Sequence, residues 1–264
     1  MEELRIGVAG YGAIGRAVTA RLLEGVEGVR LAAIGVRAPD GVASPAPGVT
    51  VTTGARLAEH VDLVVECAPA AAFLDIVEPA LHAGRSVVVL SCAALLRHDH
   101  LQALARDHGG RILVPTGALL GLDAIAAAAE GTIHSVRMTT HKPPRGLEGA
   151  PHLLQKGISL DGLTTALKVF SGSAREAALG FPANVNVAAA LSLAGIGPDR
   201  TRVEIWADPA VTRNTHVVEL DSDSARLSMR IENVPSENPR TGRITAQSVV
   251  ALLRKLRATV VIGS

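Results

Sequence analysis

The feature that most narrows the fold is a glycine run, Gly10-Tyr-Gly12-Ala13-Ile14-Gly15. It sits between an aliphatic segment, Leu4 to Ala9, and an amphipathic stretch with Ile14, Val18 and Leu22 on one side. In a strand–turn–helix setting each glycine of G-x-G-x-x-G has its own task. The first permits the tight turn, the second lets backbone approach a pyrophosphate, and the third lets helix and strand pack closely. The helix N-terminus then offers N–H donors to the phosphates. The motif points to a dinucleotide held by Gly10, Gly12, Ala13, Ile14 and Gly15; the alternative is a plain glycine-rich turn. A second strand, Val29 to Val36, ends in Ile34-Gly35-Val36-Arg37, without the acidic residue that usually holds the adenosine ribose. Arg37 suits a 2′-phosphate, so both NAD and NADP are expected, unless it is only a solvated loop arginine.

The alternation continues. Ala38 to Gly48 reads as a surface loop, Asp62 to Cys67 as a third strand and Ala71 to Ala83 as its crossover helix. Ser86 to Leu90, the helix Asp99 to His108, and Arg111 to Pro115 follow. Strand–helix alternation argues an α/β fold with a parallel sheet. Aromatic residues make up only 2% of the chain against 48% hydrophobic, so small aliphatic side chains must fill the core. Strands buried on both faces read in that way.

Beyond residue 117 the rhythm changes. Ala118 to Ala129 reads as helix, Thr132 to His141 as strand, Lys142 to Glu148 as loop and Ala183 to Leu193 as helix. Val203 to Ala207, His216 to Leu220 and Ala225 to Glu232 alternate in polarity, as strands of an antiparallel sheet do. Thr245 to Leu256 reads as a basic amphipathic helix, followed by a short strand at Val260-Val-Ile262. The expected organisation is an N-terminal Rossmann dinucleotide-binding domain, 1–117, completed by 241–264. An inserted α+β substrate and dimerisation domain spans 118–240.

The formal charge of +1 gives no electrostatic case for nucleic acid or an anionic membrane, and too few aromatics exist for base stacking. No apolar run reaches the roughly 20 residues of a membrane span, and the acidic N-terminus is not a signal peptide. Cys67 and Cys92 form neither a disulfide framework nor a metal-site pattern. The expectation is a cytoplasmic protein that uses no metal.

From residue 115 onward the chain resembles the L-aspartate dehydrogenase family. The resemblance rests on Pro115-Thr-Gly117-Ala118-Leu-Leu-Gly121-Leu-Asp123, Thr140-His-Lys142-Pro-Pro, Phe181-Pro-Ala-Asn184-Val-Asn186-Val-Ala-Ala, Ala207-Asp208-Pro209, Asn214-Thr-His216, Asn238-Pro-Arg240-Thr241 and Ile262-Gly263. It implies NAD(P)-dependent oxidation of L-aspartate to iminosuccinate, which yields oxaloacetate and ammonia or feeds pyridine nucleotide biosynthesis, usually in a homodimer. It places the catalytic histidine on His216 and cofactor contacts on Ala118 and Asn184. One departure is Ser91-Cys92-Ala93, where the family more often has Ser-Val-Gly.

An imidazole, with an unperturbed pKa of about 6.5, suits the proton transfer that oxidising an amine requires. Two substrate carboxylates call for cations, because bidentate or charge-assisted pairing gives geometric selectivity. Lys142 and Arg240 stand first among Lys142, Arg145, Lys168, Arg240 and Arg243. Asn186 is a further substrate contact, although either Asn184 or Asn186 equally suits a helix N-cap. Cys92 raises a rival, a cysteine nucleophile of the aldehyde-oxidising kind. The same layout also suits a homoserine dehydrogenase-like or dihydrodipicolinate reductase-like enzyme, or a non-catalytic nicotinamide-binding regulator.

Overall fold

The computed structural model describes residues 2–236 and 242–263. The chain divides into two compact units, Met1–Gly117 with Thr245–Ile262, and Ala118–Ile244 with Gly263–Ser264.

The first unit runs β1 (Leu4–Ala9), α1 (Ala13–Leu23), β2 (Val29–Gly35), β3 (Thr50–Thr52), β4 (Leu63–Glu66), α2 (Phe73–His82), β5 (Ser86–Val89), α3 (Cys92–Leu95), α4 (His100–Asp107) and β6 (Ile112–Leu113). These strands form one sheet in the order β3-β2-β1-β4-β5-β6, with every pairing parallel. That is the doubly wound order of a Rossmann fold, whose direction of winding reverses between β1 and β4. The α/β architecture read from the sequence is therefore present. Near-continuous burial of β1, β2, β4 and β5 follows from their Val, Ile, Leu and Ala content, because crossovers cover both sheet faces.

The second unit contains α5 (Leu122–Ala129), β7 (Ile133–Lys142), α6 (Pro151–Lys156), β8 (Leu167–Ser173), α7 (Ala174–Gly180), α8 (Asn186–Ala194), β9 (Arg202–Ala207), β10 (Asn214–Ser222) and β11 (Arg226–Asn233). Its sheet has the order β11-β10-β7-β9-β8. It is mixed rather than purely antiparallel, because β7 and β9 pair in parallel. One face is buried by Val136 and Met138 of β7, Val203 and Ile205 of β9, and Val218 and Leu220 of β10. The opposite face carries Arg137, Glu204 and Glu219 toward solvent.

A last helix, α9 (Ile244–Lys255), returns to the first unit, where Ala246, Val249, Val250 and Leu253 join the core of Ile6, Val8, Val18 and Leu31. The Gly117 N–H donates to Ser248 Oγ at 3.1 Å, tying the end of the first segment to this helix. Val260, Val261 and Ile262 form no strand and are exposed; β-branched composition alone does not make a strand without a pairing partner. No helix among the described residues is long and apolar enough to cross a membrane.

Candidate active site

The glycine turn behaves as its spacing demands. Gly10 has φ +93°, a left-handed conformation, and a Cβ there would lie 2.8 Å from the Ala68 backbone. A Cβ on Gly15 would overlap the Gly10 carbonyl oxygen, so this position also tolerates only hydrogen. Gly12 differs, because a Cβ built on it would meet nothing within 4 Å. It is exposed, and it is the N-cap of α1 without any side-chain cap. Ala13, Ile14 and Gly15 form the first turn, which contains no acidic residue. Uncapped N–H groups beside open space are what a pyrophosphate needs, so the residues present fit a dinucleotide. Arg37 is exposed two residues beyond the end of β2 and makes no ion pair among the described residues.

At the winding reversal lies a buried carboxylate. Glu66 ends β4 fully buried and accepts the N–H groups of Ala68 (3.1 Å), Leu90 (3.2 Å) and Ser91 (2.9 Å) and the Ser91 hydroxyl (2.9 Å). Burial pushes its pKa up, against those hydrogen bonds. The loops after β4 and β5 are thereby buckled together. Cys92 is no nucleophile: its Sγ donates to the Val89 carbonyl at 3.6 Å, and burial, reinforced by Glu66, pushes its thiol up to about 12.

In the second unit the inner stripe of β7 turns polar toward its end, where Val136 and Met138 give way to Thr140 and Lys142, both buried. His216 on β10 pairs with Thr140 across the ladder, and its Nδ1 lies 3.1 Å from the Thr140 hydroxyl. Only 2% of His216 is exposed; burial, and after it the charge of Lys142, lowers its pKa to about 3. The imidazole is therefore neutral at any working pH, not poised near 6.5 as the unperturbed value suggested. Lys142 Nζ donates to Asn184 Oδ1 at 3.3 Å. Its backbone carbonyl accepts the N–H of Asp208, whose carboxylate receives the Ala210 N–H at 2.9 Å and lies 2.8 Å from His141 Nδ1.

His216, Lys142 and Asn184 are thus brought together, and Thr140 joins them. Thr140 escaped the sequence reading although the alternation Val136, Met138, Thr140, Lys142 puts it on the inner face. His141 belongs to the other face, stacked on Trp206 with ring centroids 5.6 Å apart, so it is no substitute for His216. Lys168 lies on the outer face with Glu204 and Trp206. Neither asparagine caps α8, whose N-cap is Val185; Asn186 is its first residue. The Ala118 carbonyl accepts Asn233 Nδ2 at 3.0 Å. Arg240 and its Asn238–Thr241 motif lie outside the described residues.

A family model described as "Aspartate dehydrogenase, C-terminal" matches residues 123–256, and one described as "Homoserine dehydrogenase, NAD binding domain" matches 10–115. The chain is 57% identical over 271 residues to L-aspartate dehydrogenase 3 of Bordetella bronchiseptica, covering 100% of this chain and 98% of that protein. It is 55% identical over 269 residues to an L-aspartate dehydrogenase of Bradyrhizobium diazoefficiens, covering 99% and 95%. Among solved structures, an aspartate dehydrogenase from Thermotoga maritima superposes with a TM-score of 0.74 at 27% identity, covering 99% of this chain and 100% of that one.

Proposed function

The chain belongs to the L-aspartate dehydrogenase family and is an oxidoreductase with a nicotinamide cofactor; on that premise we propose that it oxidises L-aspartate with NAD or NADP to iminosuccinate, which water converts to oxaloacetate and ammonia. When bound, the oxidised nicotinamide supplies the acceptor for the hydride that leaves Cα. The rest falls to the chain. Gly10, Gly12, Ala13, Ile14 and Gly15 hold the pyrophosphate, with Arg37 available to a 2′-phosphate. His216 takes a proton from the substrate ammonium, because hydride leaves readily only once a nitrogen lone pair can form the C=N bond. Lys142, its ammonium oriented by Asn184, pairs with a substrate carboxylate, and Arg240 is our candidate for the other. Asn186 and the Ala118 backbone complete the proposed contacts to substrate and cofactor.

One observation supports this reading above the others: a buried imidazole, kept neutral beside a buried lysine, on the polar end of an otherwise apolar sheet face. A neutral imidazole is the form that accepts a proton. The substrate's negative charge offsets the repulsion by Lys142 and so strengthens the base when aspartate binds. The test is a panel of amino acids and keto acids with both cofactors. Aspartate should reduce either cofactor, and oxaloacetate with ammonia should be the preferred pair in reverse; turnover of homoserine instead, or of nothing, would overturn the reading. We extend the proposal to a cytoplasmic homodimer whose product feeds pyridine nucleotide biosynthesis. Sedimentation at micromolar protein reads the oligomeric state, and a monomer would remove that extension.

A further inference from the structure

A neutral imidazole carries one N–H and one lone pair, and only the nitrogen with the lone pair can take a proton. For His216 the neighbours show which nitrogen is already engaged. Nδ1 lies 3.1 Å from Thr140 Oγ1, and both side chains are buried, at 2% and 3% exposure. A hydroxyl both donates and accepts, so this contact alone permits either tautomer. The proposed role decides: a proton acceptor needs a lone pair on the nitrogen that meets the substrate. With Nδ1 committed to Thr140, the nitrogen left for that lone pair is Nε2.

We propose that Thr140 is a positioning residue for His216: its hydroxyl oxygen accepts the Nδ1–H bond and so keeps the lone pair on Nε2, the nitrogen that receives the substrate's proton. This rests on the reading of His216 as the proton acceptor. Residue type and register both serve the task. Thr140 and His216 are direct cross-strand partners, so the ladder sets their separation. A β-branched side chain is stiff at χ1, which holds the hydroxyl in place.

Nitrogen-15 spectra of the histidine rings at neutral pH, with His216→Ala identifying the signal, report the tautomer directly. The wild type and Thr140→Ser should show protonated Nδ1 and bare Nε2, and Thr140→Val should lose that bias. Thr140→Val should also lower kcat about tenfold, the worth of one hydrogen bond, with the KM for aspartate and NADH affinity unchanged. Thr140→Ser should recover most of the rate. A protonated Nε2 in the wild type overturns the proposal without any variant having to fold, as does an unchanged tautomer in Thr140→Val. Near-normal kcat in well-folded His216→Ala overturns the premise instead, and leaves the tautomer result standing as a structural fact.

Discussion

Arg37 and Lys142 illustrate how differently two cations of one chain are used. Arg37 is exposed and unpaired among the described residues, at the position where an acidic side chain would select the free ribose hydroxyl. On the proposed reading its charge suits a 2′-phosphate and leaves NAD acceptable. Arg37→Asp should weaken NADP more than NAD, by about 1.5–3 kcal/mol at most for a charge-assisted contact. Fluorescence titration with both reduced cofactors checks this, and equal losses would dismiss the contact. Lys142 is buried at the inner end of β7 and tied to Asn184. On the proposed reading, a substrate carboxylate beside it adds a charge-assisted contact to that hydrogen bond. Lys142→Met keeps the aliphatic stem and removes the charge. It should raise the KM for aspartate and leave NADH affinity intact, the pattern of lost uniform binding. The same change should let the His216 pKa rise, because the repulsion that helps lower it is gone. Unaltered steady-state constants would move the carboxylate site to Arg145 or Arg240.

At the scale of elements, the turn between β1 and α1 has room at Gly12 alone, since Gly10 and Gly15 are closed by backbone. Gly12→Val therefore leaves the fold intact while filling the space beside the helix N-terminus. Circular dichroism should be unchanged and NADH binding lost; retained binding would mean that the glycine run is only a turn. This turn was legible because each glycine answers a local steric demand. The buried strands β1, β2, β4 and β5 were legible as aliphatic runs, and β9, β10 and β11 as alternating ones. Other elements carry weaker signals. β3 has three residues at a sheet edge, too few to show a period. β8 is irregular where it pairs with β9, between Lys168 and Phe170, so its alternation is broken. The parallel pairing of β7 with β9 joins strands distant in sequence, which local polarity does not encode. The same holds at the site. His216 and Lys142 came from a motif resemblance, whereas the depressed His216 pKa and its Thr140 partner depend on burial and register that only the folded sheet creates.

For the whole molecule, buried or paired titratable groups shape how folding stability depends on pH, and His216, Glu66 and Asp62 show that their signs differ. His216 has a folded pKa of about 3 against about 6.5 in an unfolded chain. The unfolded state therefore binds the proton first, and stability is lost as pH falls from about 6.5 toward 3. Glu66 acts in the opposite sense. Its folded pKa is raised by burial, so the folded state binds the proton more tightly. Its contribution is full below the unfolded value of about 4.3 and is lost as pH rises through the folded one. Asp62 is held below the usual carboxylate range by the hydrogen bond from Arg5, and its stabilisation is lost only as pH falls below about 3.9. The Arg5–Asp62 pair is partly exposed, so solvent screens much of its worth. The descending limb between neutral pH and about 4.5 should thus belong mainly to His216. Urea midpoints of the wild type should fall steadily from pH 7 to 4.5, whereas His216→Gln, which has no proton to take up, should lose most of that slope. Glu66→Gln should steepen it, because the partial offset from Glu66 is removed, at a general cost from the lost hydrogen bonds. Parallel slopes for the wild type and His216→Gln would show that His216 is not a buried neutral imidazole in solution, and both the base reading and the Thr140 proposal would then lose their physical footing.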